Sequence, residues 1–136
     1  PFEVHVFSAH RTPAEAKEFT ENAEANGFGV IIAAAGMAAH LAGAIAANTV
    51  LPVIGIPVKN DTLSGMDALL STVQMPTGIP VATVAINGAG NAALLSVQIL
   101  ALTDKELSDK LKEDRAKNRE KILAKNADVT AKYSSL

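Results

Sequence analysis

Residues 25–58 read ANGFGVIIAAAGMAAHLAGAIAANTVLPVIGIPV and contain no Asp, Glu, Lys or Arg. A membrane-spanning helix needs about 20 predominantly apolar residues in an unbroken run. Here Gly, Asn, Thr or Pro interrupts the run at positions 36, 43, 48, 49, 52, 55 and 57. The segment therefore predicts a buried strand, a helix and a second buried strand, and no crossing of a membrane.

Strand-like and helix-like segments continue to alternate outward from this stretch. Predicted strands cover residues 3–7, 29–34, 52–58 and 79–86. Predicted helices cover residues 13–26, 37–48, 64–75 and 91–102, and a charged helix follows Thr103 to about residue 126. Thr12 with Glu15, and Thr103 with Glu106, have the spacing of a capping box, which predicts a helix start at each position.

This alternation predicts βαβ units and a parallel sheet. The strands are continuous apolar runs, which is typical of strands covered on both faces. We therefore expect an α/β fold, a three-layer sandwich with a parallel, flavodoxin-like sheet. Residues 1–103 hold 3 of the 12 Lys and Arg residues, whereas residues 104–136 hold 9. This change predicts an α/β core over residues 1–103 and a charged C-terminal helical arm over residues 104–136.

The composition argues against several classes of protein. Aromatic residues make up 4% and the net charge is −2, whereas nucleic-acid binding favours a basic surface with rings for base stacking. The absence of Cys excludes a disulfide scaffold and a zinc–thiolate site, and it is compatible with the cytoplasmic location that we expect. No group of His and carboxylate residues has the spacing of metal ligands, so we expect no metal.

Two histidines follow predicted strands, where ligands bind in open α/β sheets. In residues 8–13 (SAHRTP), a hydroxyl, the His10 imidazole and the Arg11 guanidinium precede a helix N-terminus, which favours a bound anion. A guanidinium can bind a phosphate through two hydrogen bonds, and an imidazole suits general acid–base work. The alternative interpretation is a capped loop with an exposed His and Arg.

His40 lies one helical turn beyond Gly36, in the uncharged stretch, so we expect its ring to be buried. Gly36 lets a ligand approach the backbone closely, and the small side chains around it exclude water. The alternative interpretation is a core histidine bonded to a backbone carbonyl, but its location near a second strand end favours a functional role. Residues 87–91 (NGAGN) lack the spacing of a dinucleotide-binding loop and the P-loop Lys, and they predict a turn.

Together these segments resemble the PurE family. Residues 8–13 match its catalytic loop without a change. Residues 33–43 (AAAGMAAHLAG) are similar to its AGAGGAAHLPG, with Ala34, Met37 and Ala42 in place of Gly, Gly and Pro. Residues 51–58 (LPVIGIPV), 64–84 (SGMDALLSTVQMPTGIPVATV) and 91–95 (NAALL) match its later core. The resemblance runs from about residue 3 to 102, and the pair SAHRTP and SGMDALLSTVQMP indicates the mutase class rather than the animal-type carboxylase class.

The resemblance implies an enzyme of purine biosynthesis that converts N5-carboxyaminoimidazole ribonucleotide to 4-carboxyaminoimidazole ribonucleotide without metal or organic cofactor. The carbamate carboxylate would leave as CO2 in a closed pocket and the ring carbon would capture it, with His10 moving the proton. The implied substrate-binding residues are Ser8 and Arg11 at the phosphate, Ala35, Gly36 and His40 at the carboxylate and CO2, together with Ala9 and Leu41.

The resemblance also implies a homo-octamer, in which the helix after Thr103 would reach across to a neighbour. The family opens with a strand and a GSxSD-type turn that helps hold the phosphate and ribose. The chain shows neither, so we expect a sheet that is one strand short and a phosphate site that is half built. Two alternatives remain at this point: a CO2-dependent aminoimidazole ribonucleotide carboxylase of the same family, and an inactive fragment that binds a nucleotide or oligomerises.

Overall fold

The apolar runs form a parallel sheet with helices between its strands in the computed structural model, which describes residues 1–134. The strands, in the spatial order β1-β2-β3, are β1 (Ile31–Gly36), β2 (Val53–Val58) and β3 (Ala82–Thr83). The helices are α1 (Pro13–Asn22), α2 (Leu41–Ala46), α3 (Met66–Val73), α4 (Ala89–Leu100) and α5 (Lys105–Tyr133). The predicted α/β class, with a parallel, flavodoxin-like sheet and a C-terminal helix, is confirmed.

β2 is the centre of this sheet. It pairs in parallel with β1 along its whole length and with β3 at Ile54 and Gly55. Its first five residues are all buried, and Ile54 is fully inaccessible to solvent. Because removing one Ile or Val side chain from water stabilises a fold by roughly 1.5–3 kcal/mol, this strand contributes a large share of the free energy of folding.

α2 and α3 both approach the sheet at Gly55. A Cβ built on Gly55 would clash with Cγ2 of Thr72 in α3, and it would lie 3.3 Å from Cβ of Ala42 in α2. The missing side chain is therefore what lets both helices reach β2 on one face. The buried apolar cluster there consists of Ala23, Ile31, Ala33, Ala42, Ile45, Ala46 and Val53.

The other face of β1 is open. Ile31 and Ala33 are buried, whereas Ile32, which points to the opposite face, is 42% exposed and Ala34 is also exposed. The continuous apolar run predicts cover on both faces, which holds for β2 but is wrong for β1. The reason is that α2 packs on the face that carries Ile31 and Ala33, and an apolar run does not show whether a second helix covers the other face.

Residues 3–7 form no strand, so the first predicted strand is wrong. They pair with none of the described strands, and aromatic contacts with α1 hold them instead. His5 and Phe7 stack with ring centroids 5.2 Å apart, and Phe19 of α1 contacts both, at 4.7 and 5.9 Å. Side chains on the other side of this segment are between 79% and 95% exposed: Phe2, Val4 and Val6.

The helix ends differ from the predicted capping boxes. Thr12 precedes α1 without capping it, because its hydroxyl accepts the N–H of Ser8 instead. α5 begins one residue later than predicted, because Asp104 rather than Thr103 accepts the N–H of Leu107. α2 and β3 are much shorter than the predicted residues 37–48 and 79–86. Local patterns therefore located these elements but did not fix their ends.

The chain divides into two compact units, residues 1–96 and a second that begins at Val97. In the second unit, α5 has no buried residue and carries ion pairs such as Lys105 with Asp109. Hydrogen bonds from Lys105 and Lys112 lower the pKa of the Asp109 carboxyl. None of the described helices combines the length and the apolar character that crossing a membrane requires.

Gly55→Ala should destabilise the fold by about 1–3 kcal/mol, because the new Cβ overpacks the contact between β2 and α3. Gly90→Ala in α4 is the matched control, since a Cβ there meets nothing within 4 Å. Alanine in a helix is favoured over glycine by up to about 1 kcal/mol. Urea unfolding of both variants measures the difference, and equal stabilities would contradict the role given to Gly55.

Candidate functional site

Ser8 and Thr12 close the loop before α1 by bonding to each other. The Ser8 N–H donates to Thr12 Oγ1 (2.7 Å) and the Thr12 N–H donates to the Ser8 carbonyl (2.9 Å). The Arg11 N–H also donates to Ser8 Oγ, at 3.2 Å. The turn at Ala9 and His10 is therefore fixed from both ends, and it holds His10 and Arg11 at the start of α1.

The side chains of His10 and Arg11 are available to a ligand. Both residues are exposed, and neither side chain makes a hydrogen bond or an ion pair with any residue in the described part of the chain. No side chain caps the first turn of α1, so its free N–H groups and the helix dipole also favour an anion. This arrangement suits a phosphate or carboxylate group with an imidazole beside it.

The second predicted segment begins at the carboxyl end of β1. Ala35 and Gly36 are the last residues of the strand, and a Cβ on Gly36 would lie 3.3 Å from the carbonyl oxygen of Val58 on β2. Met37 follows with φ of +56°, a left-handed conformation that residues other than glycine rarely adopt. Close approach of the two strands therefore shapes the backbone here.

His40 is the N-cap residue of α2 and is exposed, so the expectation of a buried ring is wrong. The ring lies beside Gly43, where a Cβ would be 3.3 Å from Nδ1 and Cε1 of His40 and 3.1 Å from Sδ of Met75. The surrounding uncharged residues do not bury the ring, because His40 lies just outside the short helix that packs on the sheet. Its side chain bonds to no carbonyl among residues 1–134, so the core-histidine interpretation is wrong too.

The structure brings the loop before α1 next to α2. Ala9 and Pro13 line the same cavity, of about 200 Å³, as Ala44 and Ile45 of α2. Leu41, in contrast, is half-buried and packs against the apolar core, so its side chain supports the sheet. The loop before α1 and the helix α2 are therefore neighbours in space, but the lining of this cavity includes neither His10, Arg11 nor His40.

Other polar residues at the carboxyl edge were missed as site candidates. Asn60, after β2, donates from Nδ2 to both carboxylate oxygens of Asp67 (2.9 Å each), while its Oδ1 accepts two backbone N–H groups of the same loop. Asn87, after β3, accepts the Lys59 N–H on its Oδ1 at 2.9 Å. The available sequence signal was their place among the first polar residues after an apolar run.

A groove of about 1020 Å³ opens at the opposite end of the sheet, beside Val53 and Ala82. Its lining includes Glu21 and Glu24 and none of the predicted site residues. Its size alone would favour it, but ligands of open parallel sheets bind at the carboxyl ends of the strands. Residues 1–134 contain no cluster of three or more His, Cys, Asp or Glu side chains that could hold a metal ion.

Similarity to known proteins covers most of the chain. A family model described as AIR carboxylase matches residues 1–121. The chain is 58% identical over 112 residues to the N5-carboxyaminoimidazole ribonucleotide mutase of Pyrococcus horikoshii, which covers 82% of this chain and 63% of that protein. It is 56% identical over 125 residues to the protein of the same name from Escherichia coli K12, and the aligned region covers 90% of this chain and 74% of that protein.

Solved structures agree with the sequence relatives. The crystal structure of Treponema denticola PurE matches with a TM-score of 0.77 at 30% sequence identity, over 88% of this chain and 75% of that chain. The shared fold, the matched family model and the high identity to the curated relatives all point the same way. The chain therefore belongs to the AIR carboxylase family.

Proposed function

We propose that the chain transfers a carboxyl group, converting N5-carboxyaminoimidazole ribonucleotide to 4-carboxyaminoimidazole ribonucleotide in purine biosynthesis. The observation that carries this proposal is the 56% identity, over 125 residues, to a relative named as that mutase. The loop before α1 supports it, because it presents an exposed imidazole and guanidinium at a helix N-terminus.

His10 is the proton-transfer residue in this proposal. When the carbamate N–C bond breaks, its electron pair returns to the exocyclic nitrogen, which takes a proton from protonated His10 while CO2 departs. The ring carbon then attacks CO2 and loses its proton to His10, which restores the starting state. The cycle balances without a metal or an organic cofactor, and a pocket that excludes water favours loss of the carboxylate as neutral CO2.

Ser8 and Arg11 hold the substrate phosphate in this proposal, beside the backbone of Ala9. The Ser8 Oγ already accepts the Arg11 N–H, which leaves the hydroxyl proton free to donate to a phosphate oxygen. Arg11 adds a guanidinium, whose planar donors match two phosphate oxygens at once. The N–H groups at the start of α1 contribute further positive potential.

Ala35, Gly36 and His40 line the carboxylate and CO2 in the same proposal, and Leu41 supports them from the core. The small side chains of Ala35 and Gly36 leave room for the reacting group. His40 is exposed in the single chain, so a dry pocket needs additional cover. A neighbouring subunit would supply that cover, which links the site to the assembly of the protein.

We further propose that the chain assembles as a homo-octamer and acts in the cytoplasm. Support for assembly comes from exposed apolar side chains one helical turn apart on α3, Met66 and Leu70, each 51% exposed, and Val73, 47% exposed. Contiguous apolar patches of this kind mark interaction surfaces. A charged ribonucleotide substrate does not cross a membrane unaided, which favours the compartment in which it is made.

His10→Asn should abolish carboxyl transfer, lowering kcat by about 100-fold or more because proton transfer in both half-reactions is lost. His40→Asn should keep measurable turnover and mainly raise KM. Conversion of the carbamate substrate is the assay, and unfolding by urea verifies that both variants remain folded. If His40→Asn were inactive and His10→Asn active, the roles would be reversed.

Gly43→Ala should disturb the site without replacing a substrate-binding residue. The new Cβ presses on the His40 ring and on Met75, while the better helix propensity of alanine offsets the strain, so stability should change by less than about 1 kcal/mol. A displaced His40 should lower kcat/KM by on the order of tenfold to 100-fold. Unchanged kinetics in a folded variant would show that the position of the His40 ring is unimportant.

Light scattering should give the mass of an octamer. Leu70→Lys should shift that mass downward, because it places a charge on the apolar face of α3. Ser71→Lys, which places the same charge on an exposed position of α3 outside that face, should leave the mass unchanged. A mass equal to one chain for the unsubstituted protein would contradict the proposed assembly.

A further inference from the structure

Among residues 1–134, three residues other than glycine have left-handed backbone conformations, and each lies in a loop that follows a strand. Met37 follows β1 with φ of +56°, Ser64 lies in the loop after β2 with φ of +54°, and Asn87 follows β3 with φ of +57°. Such conformations persist only where the surrounding structure imposes them, and they concentrate at functional sites. The carboxyl edge of the sheet is therefore the part of the backbone under most constraint.

Asn87 connects β3 with the end of β2. Its N–H donates to the Pro57 carbonyl and its side-chain Oδ1 accepts the Lys59 N–H, both at 2.9 Å. β3 itself ends at Thr83, and the last bond before the turn runs from the Val84 N–H to the Gly55 carbonyl, at 3.1 Å. The Asn87 side chain thus accepts a hydrogen bond that a strand carbonyl would otherwise accept. It extends the bonding to this segment from Pro57 to Lys59.

This contact fixes Lys59 beside the candidate site. Gly36, the last residue of β1, pairs in register with Val58, the last residue of β2. Lys59 therefore leaves the sheet at the same level as Met37. Gly65 holds it from another side, because a Cβ there would lie 3.1 Å from the Lys59 Cα. Gly65 is buried with φ of +90°, which only glycine adopts without strain.

Lys59 is also one of few basic residues in the α/β core over residues 1–103. Up to residue 103 the sequence has three, Arg11, Lys17 and Lys59. Lys17 pairs with Glu21 at 3.6 Å, whereas Arg11 and Lys59 have no carboxylate within ion-pair distance in the part of the chain that the structure describes. Arg11 lies in the loop before α1, where the phosphate is proposed to bind, and Lys59 follows β2 at the carboxyl edge of the sheet.

We propose that Lys59 is a second substrate-binding cation, which contacts an anionic oxygen of the ribonucleotide, and that Asn87 is its positioning residue. The inference rests on the proposed function, since it assigns a further contact to the same substrate. Lys59 is exposed, with a long flexible stem and a single point charge. Such a contact holds substrate and transition state alike, so it changes KM and leaves kcat almost unaltered.

Lys59→Met tests the cation, with Lys17→Met as the matched control. Loss of one charged hydrogen bond should raise KM by about tenfold at nearly constant kcat, whereas Lys17→Met should match the unsubstituted protein. A Lys59→Met enzyme with unchanged KM would overturn the inference. If the unsubstituted chain itself failed to convert the carbamate substrate, the proposed function would fall first, so the two failures are distinguishable.

Calorimetry distinguishes the substrate phosphate from the carboxylate as the group that Lys59 contacts. Aminoimidazole ribonucleotide carries only the phosphate, and 4-carboxyaminoimidazole ribonucleotide carries a carboxylate as well. Weaker binding of both ligands to Lys59→Met supports a phosphate contact, and weaker binding of the carboxylated ligand alone supports a carboxylate contact. Unchanged binding of both ligands would refute the assignment.

Asn87→Gly tests the positioning role, because glycine keeps the left-handed backbone and removes the Oδ1 acceptor. We expect KM to rise severalfold with kcat retained. In the double variant with Lys59→Met, KM should be no higher than with Lys59→Met alone, since contacts that act through one another are not additive. Additive effects on KM would mean that Asn87 acts independently of Lys59, and would overturn the positioning role.

Discussion

Burial of β2 between its two neighbouring strands and the helices is the constraint on which the rest of the structure depends. Its apolar side chains leave solvent on both faces, and its backbone pairs on both edges. Gly55 makes this possible on the side of α2 and α3, where any larger side chain would hold the helices away. With β2 fixed in this way, the direction and register of β1 and β3 follow.

The parallel direction of the strands then determines where chemistry is located. Each strand ends at the same edge of the sheet, and the loops after them bring together groups that are distant in sequence. Backbone hydrogen bonds alone do not shape these loops. Side chains complete them, because Asn60 bonds to Asp67 and Asn87 bonds to the backbone of Lys59. Ser8 and Thr12 close the loop before α1 in the same way. Side-chain amides and hydroxyls thus supply hydrogen-bond acceptors for backbone N–H groups in the turns, which have no partner in a strand or helix.

The described chain leaves much apolar surface in contact with solvent. The outer face of β1, the N-terminal segment and α3 each present large apolar side chains, among them Ile32, Val6 and Leu70. α5 shows the opposite character, being charged along its length and without a buried residue. Apolar side chains therefore remain exposed within residues 1–96, whereas α5 presents a charged surface.

Sequence alone determined the order of the elements from α1 onward, the parallel sheet, the charged C-terminal helix and the loop that carries His10 and Arg11. These follow from local chemistry, because periodicity, glycine and proline positions and the SAHRTP motif are readable within a few residues. Only the tertiary structure decided that residues 3–7 pair with none of the described strands, that β1 is open on one face, that His40 is exposed and that Asn87 bonds to the backbone of Lys59. Strand pairing and burial depend on which segments, distant in sequence, come into contact. The sequence of a segment is the same whether or not another segment packs against it.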